Sequence, residues 1–393
     1  MTTQIQGVKL DEGERGAPLL PRDIQTEELV FNMGPQHPST HGVLRVMLRT
    51  DGEVVLGCQP LVGNLHRCCE KILECLTYTQ GLPYVDRMDY LGALNMELGL
   101  VLAVEEAAAV EVPKRAQYLR VILCEINRVI SHLLAAGQFG LDAGAFTPFL
   151  YMFREREEGI LLLNEATGGR LLYHYVRYGG VTRDVSDDWR RRCIEWCDTV
   201  AGHMDEYNNL LTYNHIFLNR TVGVAMIDAE TALSYGATGP ILRGAGVQRD
   251  LRKDMPYSSY EDFDFEIPVA PFEKGVVGDS WSRHRQRLLE IEESLKIIKQ
   301  AVDNLPEGET QHKKITRGWK APAGEAYVAS ETPRGEMSTY FVSDGGKSPY
   351  RARIRGPSFY NIALLTETAR GLLIGDLIML VGSLDFTLGD CDR

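Results

Sequence analysis

The chain has 393 residues, of which 44% are hydrophobic and 24% charged, a composition typical of folded globular proteins and unlike collagen or disordered tails. At about 150 residues per domain, the length predicts two to three domains or one large one. The formal net charge is −12, from 42 basic and 54 acidic residues. Nucleic acid is therefore excluded as the expected partner, because phosphate binding needs clustered Lys and Arg.

The cysteine pattern and the apolar runs argue against a cysteine metal site and a membrane span. Eight cysteines are present and none forms a C-x-x-C pair, so no zinc or iron–sulfur site is expected, and a reducing compartment is favoured. The most apolar run, residues 371–384, contains Asp376 and falls short of the ~18 residues of a span. A membrane role would therefore have to come through a partner.

The N-terminal part of the chain is interpreted as a flexible arm followed by a small β region. Residues 1–27 are polar and rich in Gly and Pro, and we assign them to the arm. The β region spans residues 28–62, with a strand over 29–33. Two further runs, 43–50 and 53–58, flank Asp51-Gly52, which is the strongest short hairpin signal.

The β region contains an unusual loop, GPQHPSTHG, at residues 34–42. His37 and His41 are four apart, the spacing of a metal pair on a helix, but Pro35, Pro38 and Gly42 exclude a helix here. The sequence predicts a rigid loop that presents two imidazoles from a fixed backbone. A purely structural role, with the imidazoles bonded to backbone carbonyls, remains the alternative from composition.

The rest of the chain, residues 63–393, is expected to form a helix-dominated core. Helical patterns run from 64 to about 211. One begins near Pro113, in the position of a first-turn proline, and another begins after Ser186, a plausible N-cap. Their apolar stripes have helical spacing and predict core packing: Leu119, Leu123, Ile126, Ile130 and Leu133, then Trp189, Cys193, Trp196, Val200, Met204, Tyr207 and Leu211.

Two acidic positions in the helical part draw attention. In PYVDRMDYL (residues 83–91), Asp86 is predicted to be an N-cap, so that Asp89 and Tyr90 fall in the first helical turn, where one could face a pocket. Ordinary capping and aromatic packing is the alternative, and spacing alone favours it. Asp142 follows a long apolar helix, and a carboxylate there needs a partner, for which a histidine is the natural choice.

The C-terminal third mixes strands and helices. Residues 223–271 are turn-rich, and 283–305 predict a helix. Strands over 327–330 and 337–342 surround Pro333-Arg334-Gly335; a short strand over 351–355 and a helix over 361–370 follow. No G-x-G-x-x-G motif follows a strand, so no dinucleotide site is expected. The whole predicts an α+β fold, with a helical core, an N-terminal β region and a C-terminal β/α segment.

Several of these motifs together resemble the D-subunit family of respiratory complex I, the proton-pumping NADH–quinone oxidoreductase. The matching stretches include the histidine loop, residues 83–91, VPKRAQYLRVILCEINRVISHLL at 112–134, LDAGAFTPFLYMFRERE at 141–157 and the terminal GDCDR. Shorter matches lie at 177–181, 239–246 and 353–361. The resemblance covers nearly the whole chain from about residue 28 and implies the fold of the [NiFe]-hydrogenase large subunit.

The resemblance does not bring a nickel site with it. The hydrogenases hold nickel with two C-x-x-C pairs, one near each terminus, where this chain has HRCC at 66–69 and DCDR at 390–393. Spacing and ligand number are wrong, so no metal is expected. The family usually has Gly and a non-cysteine residue at the positions of Cys68 and Cys69, and Val at that of Cys391.

The resemblance also implies a role for each site residue. His41 and Tyr90 would hydrogen-bond the two carbonyls of a quinone head group, and Asp142 would pair with His41. Asp89 would border the same pocket, which His37 also joins. Arg67 would lie near a [4Fe–4S] cluster that belongs to a neighbouring subunit. No cofactor would be bound by this chain alone.

The implied function is quinone reduction within a multi-subunit complex, coupled to proton pumping. The implied partners are a cluster-bearing small subunit, a C-type subunit and a membrane H-type subunit, which would hold the chain peripherally on the cytoplasmic side of the cell membrane. Two alternatives remain: the corresponding subunit of a ferredoxin-, F420- or plastoquinone-linked complex, or a structural docking subunit without direct catalysis.

Overall fold

The N-terminal β region of the computed structural model is a three-stranded antiparallel sheet; the structure describes residues 28–35, 42–313, 315 and 318–393. Strands β1 (Glu28–Met33), β2 (Arg45–Asp51) and β3 (Val54–Leu61) pair in the order β1-β2-β3. The predicted hairpin is confirmed, and Gly52 supplies the positive φ, +58°, that its turn requires. The buried face of this sheet packs on the C-terminal helices.

Six helices build the first part of the core: α1 (Cys69–Cys75), α2 (Tyr78–Asp86), α3 (Ala93–Ala107), α4 (Lys114–Asp142), α5 (Phe146–Thr167) and α6 (Asp187–Tyr207). The start predicted after Ser186 is confirmed, and the start predicted near Pro113 is confirmed with the proline as N-cap and not in the first turn. Helix α4 begins directly after Pro113, and the Ser186 hydroxyl accepts a hydrogen bond from the Trp189 amide at 3.2 Å. The two apolar stripes are buried, and α4 packs between α5 and α11 (Ser280–Asp303).

The predicted helical region is interrupted once, and the turn-rich region that follows contains short helices. Strands β4 (Val176–Arg177) and β5 (Gly180–Val181) form a small hairpin between α5 and α6. After α6 the chain makes one π-helical turn at Asn208–Thr212. Four short helices then precede α11: α7 (His215–Thr221), α8 (Ala229–Ser234), α9 (Pro240–Gly244) and α10 (Leu251–Asp254).

The C-terminal segment is a second three-stranded antiparallel sheet followed by helices. Strands β6 (Gly324–Thr332), β7 (Gly335–Ser343) and β8 (Arg351–Arg355) lie in chain order. The helix predicted over 361–370 begins earlier, because Pro357 opens it, and it is split into α12 (Pro357–Ala363) and α13 (Leu365–Thr368). Helices α14 (Ile374–Leu384) and α15 (Leu388–Asp392) complete the chain. The α+β class is confirmed, with 52% helix and 14% strand.

A network of buried ion pairs joins α4 to α11 through the segments between them. Arg243 in α9 contacts Glu290 of α11 at 2.9 Å and Glu331 of β6 at 2.8 Å, and His132 of α4 contacts Glu290 at 3.1 Å. Glu125 of α4 pairs with Arg128 and Arg252, which hold its pKa at about 2 although burial alone would raise it. Removing one partner from such a pair strands a buried charge.

A membrane-spanning helix has a characteristic length and apolar composition. None of the helices in the described part of the chain combines the length and the apolar composition needed to cross a lipid bilayer.

Candidate functional site

The turn between α2 and α3 carries Asp89 and Tyr90. Helix α2 ends at Asp86 and α3 begins at Ala93, so the prediction that Asp86 caps a helix N-terminus is wrong. Helix α2 continues past Pro83, where a break seemed natural, and the Arg87 side chain donates a hydrogen bond to the Pro83 carbonyl, 2.5 Å away. Asp89 and Tyr90 therefore lie in a loop and not in a helical turn.

Asp89 is buried and held by its own turn. Its carboxylate accepts a hydrogen bond from the Leu91 amide at 3.3 Å and one from the Thr387 hydroxyl at 3.0 Å. A side chain at Gly92 would meet it, since a Cβ there would lie 2.7 Å from Asp89 Oδ2. The turn thus depends on a glycine to fold back onto the acid.

Arg334 reaches this carboxylate from the turn between β6 and β7. Its Nη1 lies 2.9 and 3.0 Å from the two oxygens of Asp89 and 3.2 Å from the Ser131 hydroxyl of α4, and its Nη2 lies 3.1 Å from Asp385. Burial would lower the pKa of Arg334, but the carboxylates of Asp385 and Asp89 raise it above its usual range. A permanent buried cation therefore joins the α2–α3 turn to the end of α14.

Tyr90 stands next to this charge cluster and is only partly buried. Burial raises the pKa of its phenol; Asp89 acts in the same direction, whereas Arg334 and Arg67 oppose it. Tyr90 therefore stays protonated near neutral pH and can donate a hydrogen bond. Within the described part of the chain, its hydroxyl makes no hydrogen bond.

The C-terminal residues pack against the segment that precedes α1. The Asp392 carboxylate accepts hydrogen bonds from the amides of Gly63 at 2.7 Å and Leu65 at 2.6 Å, and a ring nitrogen of His66 donates to the Asp392 carbonyl at 2.7 Å. The Arg67 amide donates to the Arg393 carbonyl. Residues 66–69 and 390–393 are thus brought together, as the family resemblance implies.

The cysteines of these two segments do not make a metal centre. Cys68 and Cys75 are exposed, whereas Cys69 and Cys391 are buried, and burial raises the pKa of the Cys391 thiol well above its usual range. Among the described residues, no cysteine joins a group of three or more side chains placed to hold a metal. The donor set for nickel is therefore not present there.

Arg67 lies at the surface beside this junction. It is exposed, and its Nη1 lies 3.5 Å from the Arg87 carbonyl, just before Asp89 and Tyr90. Its charge acts on the Tyr90 phenol. Arg67 and Tyr90 therefore share one region of the molecule, although their positions in the sequence are far apart.

Asp390 is a buried acid with an altered proton affinity. Burial, reinforced by the Asp89 carboxylate, raises its pKa to about 6. Its Oδ2 accepts a hydrogen bond from the Ser358 amide at 2.8 Å, whereas its buried Oδ1 has no donor within the described residues. Asp390 therefore changes charge near neutral pH.

We expect Asp390→Asn to make stability less dependent on pH. Because the pKa of this acid is higher in the folded chain than the 3.8 of an ordinary carboxyl, its contribution is fully present below about pH 4 and is lost as the pH rises through about 6. Above that pH the buried charge of Asp390 lowers the free energy of unfolding by at most about 3 kcal/mol. An asparagine carries no charge and still accepts the hydrogen bond from the Ser358 amide. Thermal unfolding midpoints from pH 5 to 8 test this, and parallel curves for both proteins would contradict it.

Asp142 is the last residue of α4 and lies against α14. Its carboxylate would contact a Cβ placed on Gly382, so the glycine leaves room for the acid. His37 and His41 lie outside the described residues, and the predicted pairing of Asp142 with His41 remains a prediction. Gly42, which follows His41 directly, lies near Leu388 of α15.

A large cavity lies elsewhere in the fold. It has a volume of about 640 Å³ and lies between β2, β3 and the helices α12 and α13. Cys58, Pro60, Phe359 and Ile362 are among its lining residues. Tyr90, Asp89 and Asp142 are not, so this cavity is separate from the cluster around Tyr90.

Sequence reasoning missed most of the charge cluster around Asp89. Arg334 occupies a Pro-Arg-Gly turn, which signals a hairpin and nothing more, and it meets Asp89 across 245 positions of sequence. Asp385 and Thr387 belong to the segment between α14 and α15, for which the sequence offers no motif. Short-range patterns carry no information on such contacts; only the position of Arg334 in a tight turn hinted at a fixed side chain.

Comparisons with known proteins agree on one family. The model of the family described as "Respiratory-chain NADH dehydrogenase, 49 Kd subunit" matches residues 142–316 and 309–393. The chain is 45% identical over 389 residues to the D subunit of the NADH-quinone oxidoreductase of Chlorobium luteolum, covering 98% of each chain. It is 48% identical over 369 residues to the corresponding D subunits of Bacillus cereus and Bacillus anthracis, covering 94% of this chain and all of each relative.

Proposed function

The chain belongs to the D-subunit family of NADH-quinone oxidoreductase and is part of that complex, and we propose that it binds the quinone head group there. The observation that carries the proposal is the state of Tyr90. A protonated phenol, partly accessible and with no hydrogen bond inside the described part of the chain, stands beside a fixed ion-pair cluster. Such a group is placed to donate to a ligand oxygen.

The chemistry requires two such donors. Reduction to quinol adds two electrons and two protons, one proton to each carbonyl oxygen, and the electrons come from a [4Fe–4S] cluster in the neighbouring small subunit. A histidine in general has a pKa of about 6.5, and we assign one of the two proton donations to His41 for that reason. Tyr90, with its raised pKa, gives up its proton only when the oxygen facing it has become strongly basic.

The other site residues have two roles. Some position the two proton donors, and Arg67 marks the side from which electrons arrive. Asp142 pairs with His41 and fixes the orientation of its ring, while Asp89 and His37 border the pocket. Arg67 faces the neighbouring cluster in this proposal, which its exposure and the effect of its charge on the Tyr90 phenol support. The proposed function assigns no redox cofactor to this chain itself.

Loss of the proton from His41 also offers a route to proton pumping. Once the imidazole has given up its proton, the contact with Asp142 weakens, and Asp142 abuts Gly382 of α14. A shift of this acid can therefore be transmitted to α14. This rearrangement is the first movement in the proposed coupling to the membrane arm.

Partner subunits complete the site and place it at the membrane. The implied partners are a cluster-bearing small subunit, a C-type subunit and a membrane H-type subunit, with the chain held peripherally on the cytoplasmic side of the cell membrane. Exposed apolar side chains close to Asp142, such as Phe146 and Leu150 at the start of α5, are candidates for burial against them.

Assembly and turnover measured side by side test this function. We expect His41→Ala to leave the amount of assembled complex unchanged and to reduce quinone reduction by at least about 100-fold, the lower range for loss of a positioned proton donor. Asp142→Asn should reduce both quinone reduction and pumping. The control is His215→Ala, which removes an exposed imidazole from α7. Loss of assembly with normal turnover of the assembled fraction would instead indicate a structural docking role.

A further inference from the structure

Three metal-ligand side chains from separate elements meet beneath the α2–α3 turn. They are Asp86 at the end of α2, Glu97 in α3 and His174 just before β4, and one ligand atom of each lies within 4.8 Å of the other two. Both carboxylates are fully buried, and the His174 side chain is 27% exposed. The group lies outside the cluster formed by Asp89, Arg334 and Asp385.

One oxygen of each carboxylate is satisfied by protein, and the other is not. Glu97 Oε2 accepts the amides of Tyr175 and Val176 at 3.1 and 2.9 Å, and Asp86 Oδ2 accepts that of His174 at 3.4 Å. Asp86 Oδ1 and Glu97 Oε1 are buried and accept from no N–H or hydroxyl group within the described residues, and the two carboxyl groups lie within hydrogen-bonding range of each other. Unsatisfied buried carboxylate oxygens are costly and call for a ligand or a proton.

Nearby positive charge does not satisfy the pair. Arg87 and Arg177 are close enough to lower the pKa values of these acids, but neither forms a salt bridge with them in the described part of the chain. One divalent cation between Asp86 and Glu97 would neutralise both buried carboxylates.

We propose that Asp86, Glu97 and His174 form a binding site for one divalent cation of the zinc class. Zinc takes carboxylate and imidazole ligands at about 2.0 to 2.2 Å, which separates two tetrahedral ligands by about 3.4 Å. His174 Nδ1 and Asp86 Oδ2 already lie 3.2 Å apart. The ligand atom of Glu97 lies within 4.8 Å of both and would have to move closer to complete the set, and a fourth ligand position remains for water.

The donor set selects against the common alkaline-earth cations. Calcium takes six to eight oxygen ligands and magnesium keeps an octahedral shell of water and carboxylates, whereas this group offers three ligands, one of them an imidazole nitrogen. The partly exposed ring of His174 gives an ion a way in. The site is therefore suited to zinc or a similar transition-metal ion.

A cation there would act on the structure of the quinone region, not on its chemistry. It would tie the end of α2 to α3 and to the segment before β4, on both sides of the turn that carries Asp89 and Tyr90. The site is independent of the proposed function, because a metal content can be measured in a complex that does not turn over.

The test is the zinc content of the purified complex. Wild-type complex, treated with a chelator and then equilibrated with Zn²⁺ and washed, should hold one zinc per complex more than His174→Ala. The matched control is His203→Ala, since His203 also has a ring nitrogen 3.2 Å from a buried carboxylate, Glu155, and a side chain 34% exposed, but faces a single acid. This control should retain the wild-type zinc content.

Two further measurements make the outcome decisive. Anomalous scattering at the zinc edge should place the ion between Asp86, Glu97 and His174. Equal zinc in wild type and His174→Ala, with a protonated-carboxyl infrared band that disappears in Glu97→Gln, would overturn the proposal and show that the two acids share a proton. The His174 side chain is partly exposed, so we expect His174→Ala to fold without rearrangement of the core.

Discussion

Tyr90→Phe is expected to lower quinone reduction at least about 100-fold while the complex still assembles. The change removes one oxygen and keeps the ring that packs in the α2–α3 turn. Because the hydroxyl makes no hydrogen bond in the described part of the chain, no protein group is left unpaired. The loss should therefore appear in turnover and not in stability.

The pattern across substrates distinguishes the site from a remote effect. Short-chain quinones should be affected most, because they have little tail binding to hold the head group in place once a donor is lost. The control is Tyr84→Phe, which removes the hydroxyl of another partly buried tyrosine, in α2. Normal kinetics with short-chain quinones in Tyr90→Phe would show that the head group binds elsewhere.

Arg334→Met is expected to cause the largest loss of stability. It leaves the carboxylates of Asp89 and Asp385 buried without their shared cation, and breaking a buried pair in this way costs about 3–5 kcal/mol. For a chain of this length unfolding as one unit, that corresponds to a fall of roughly 4–6 °C in the unfolding midpoint. Thermal unfolding of the complex and the yield of assembled complex measure it.

Two companion variants show whether charge is the cause. Arg353→Met removes an arginine whose side chain is 55% exposed and which pairs with Glu70, so it should change stability by less than about 1 kcal/mol. Arg334→Met combined with Asp89→Asn should recover part of the loss, since Asp89 has no other salt bridge in the described part of the chain, whereas Asp385 also faces Arg287 at 3.7 Å. Equal losses in the single and the double variant would attribute the effect to packing.

Local patterns predict the elements that have strong periodicity or capping. The stripes of α4 and α6 repeat over many turns, and Ser186 and Asp51-Gly52 have well-defined chemistry. The prediction for Asp86 fails because a proline inside a helix resembles a boundary; α2 continues past Pro83 to Asp86, and the Arg87 side chain then bonds the Pro83 carbonyl at the end of the helix. The start of the α12–α13 region is predicted too late for a related reason, since a proline that opens a helix, such as Pro357, equally fits a turn.

The candidate site is predicted only in part. Its residues are predicted from family resemblance, whereas the helices are predicted from local sequence patterns. Tyr90, Asp89 and Asp142 are selected through resemblance, because spacing alone favours ordinary capping and packing. The partner of Asp89 could not be predicted, since Arg334 meets it only after β6, β7 and α4 have packed. Asp86 and Glu97 likewise show no sequence sign of facing one another, because their contact depends on the angle between α2 and α3.

The buried ion pairs between α4 and α11 have a consequence for how this protein can vary over evolutionary time. A mutation that removes the charge of Glu290 takes one of the acids that face Arg243 and the acid that faces His132, and a mutation at Arg243 removes the arginine that Glu290 and Glu331 share. Substitutions here should therefore be inherited as compensating pairs, whereas surface positions drift singly. Independent change at these positions among the sequences of the family would contradict that expectation.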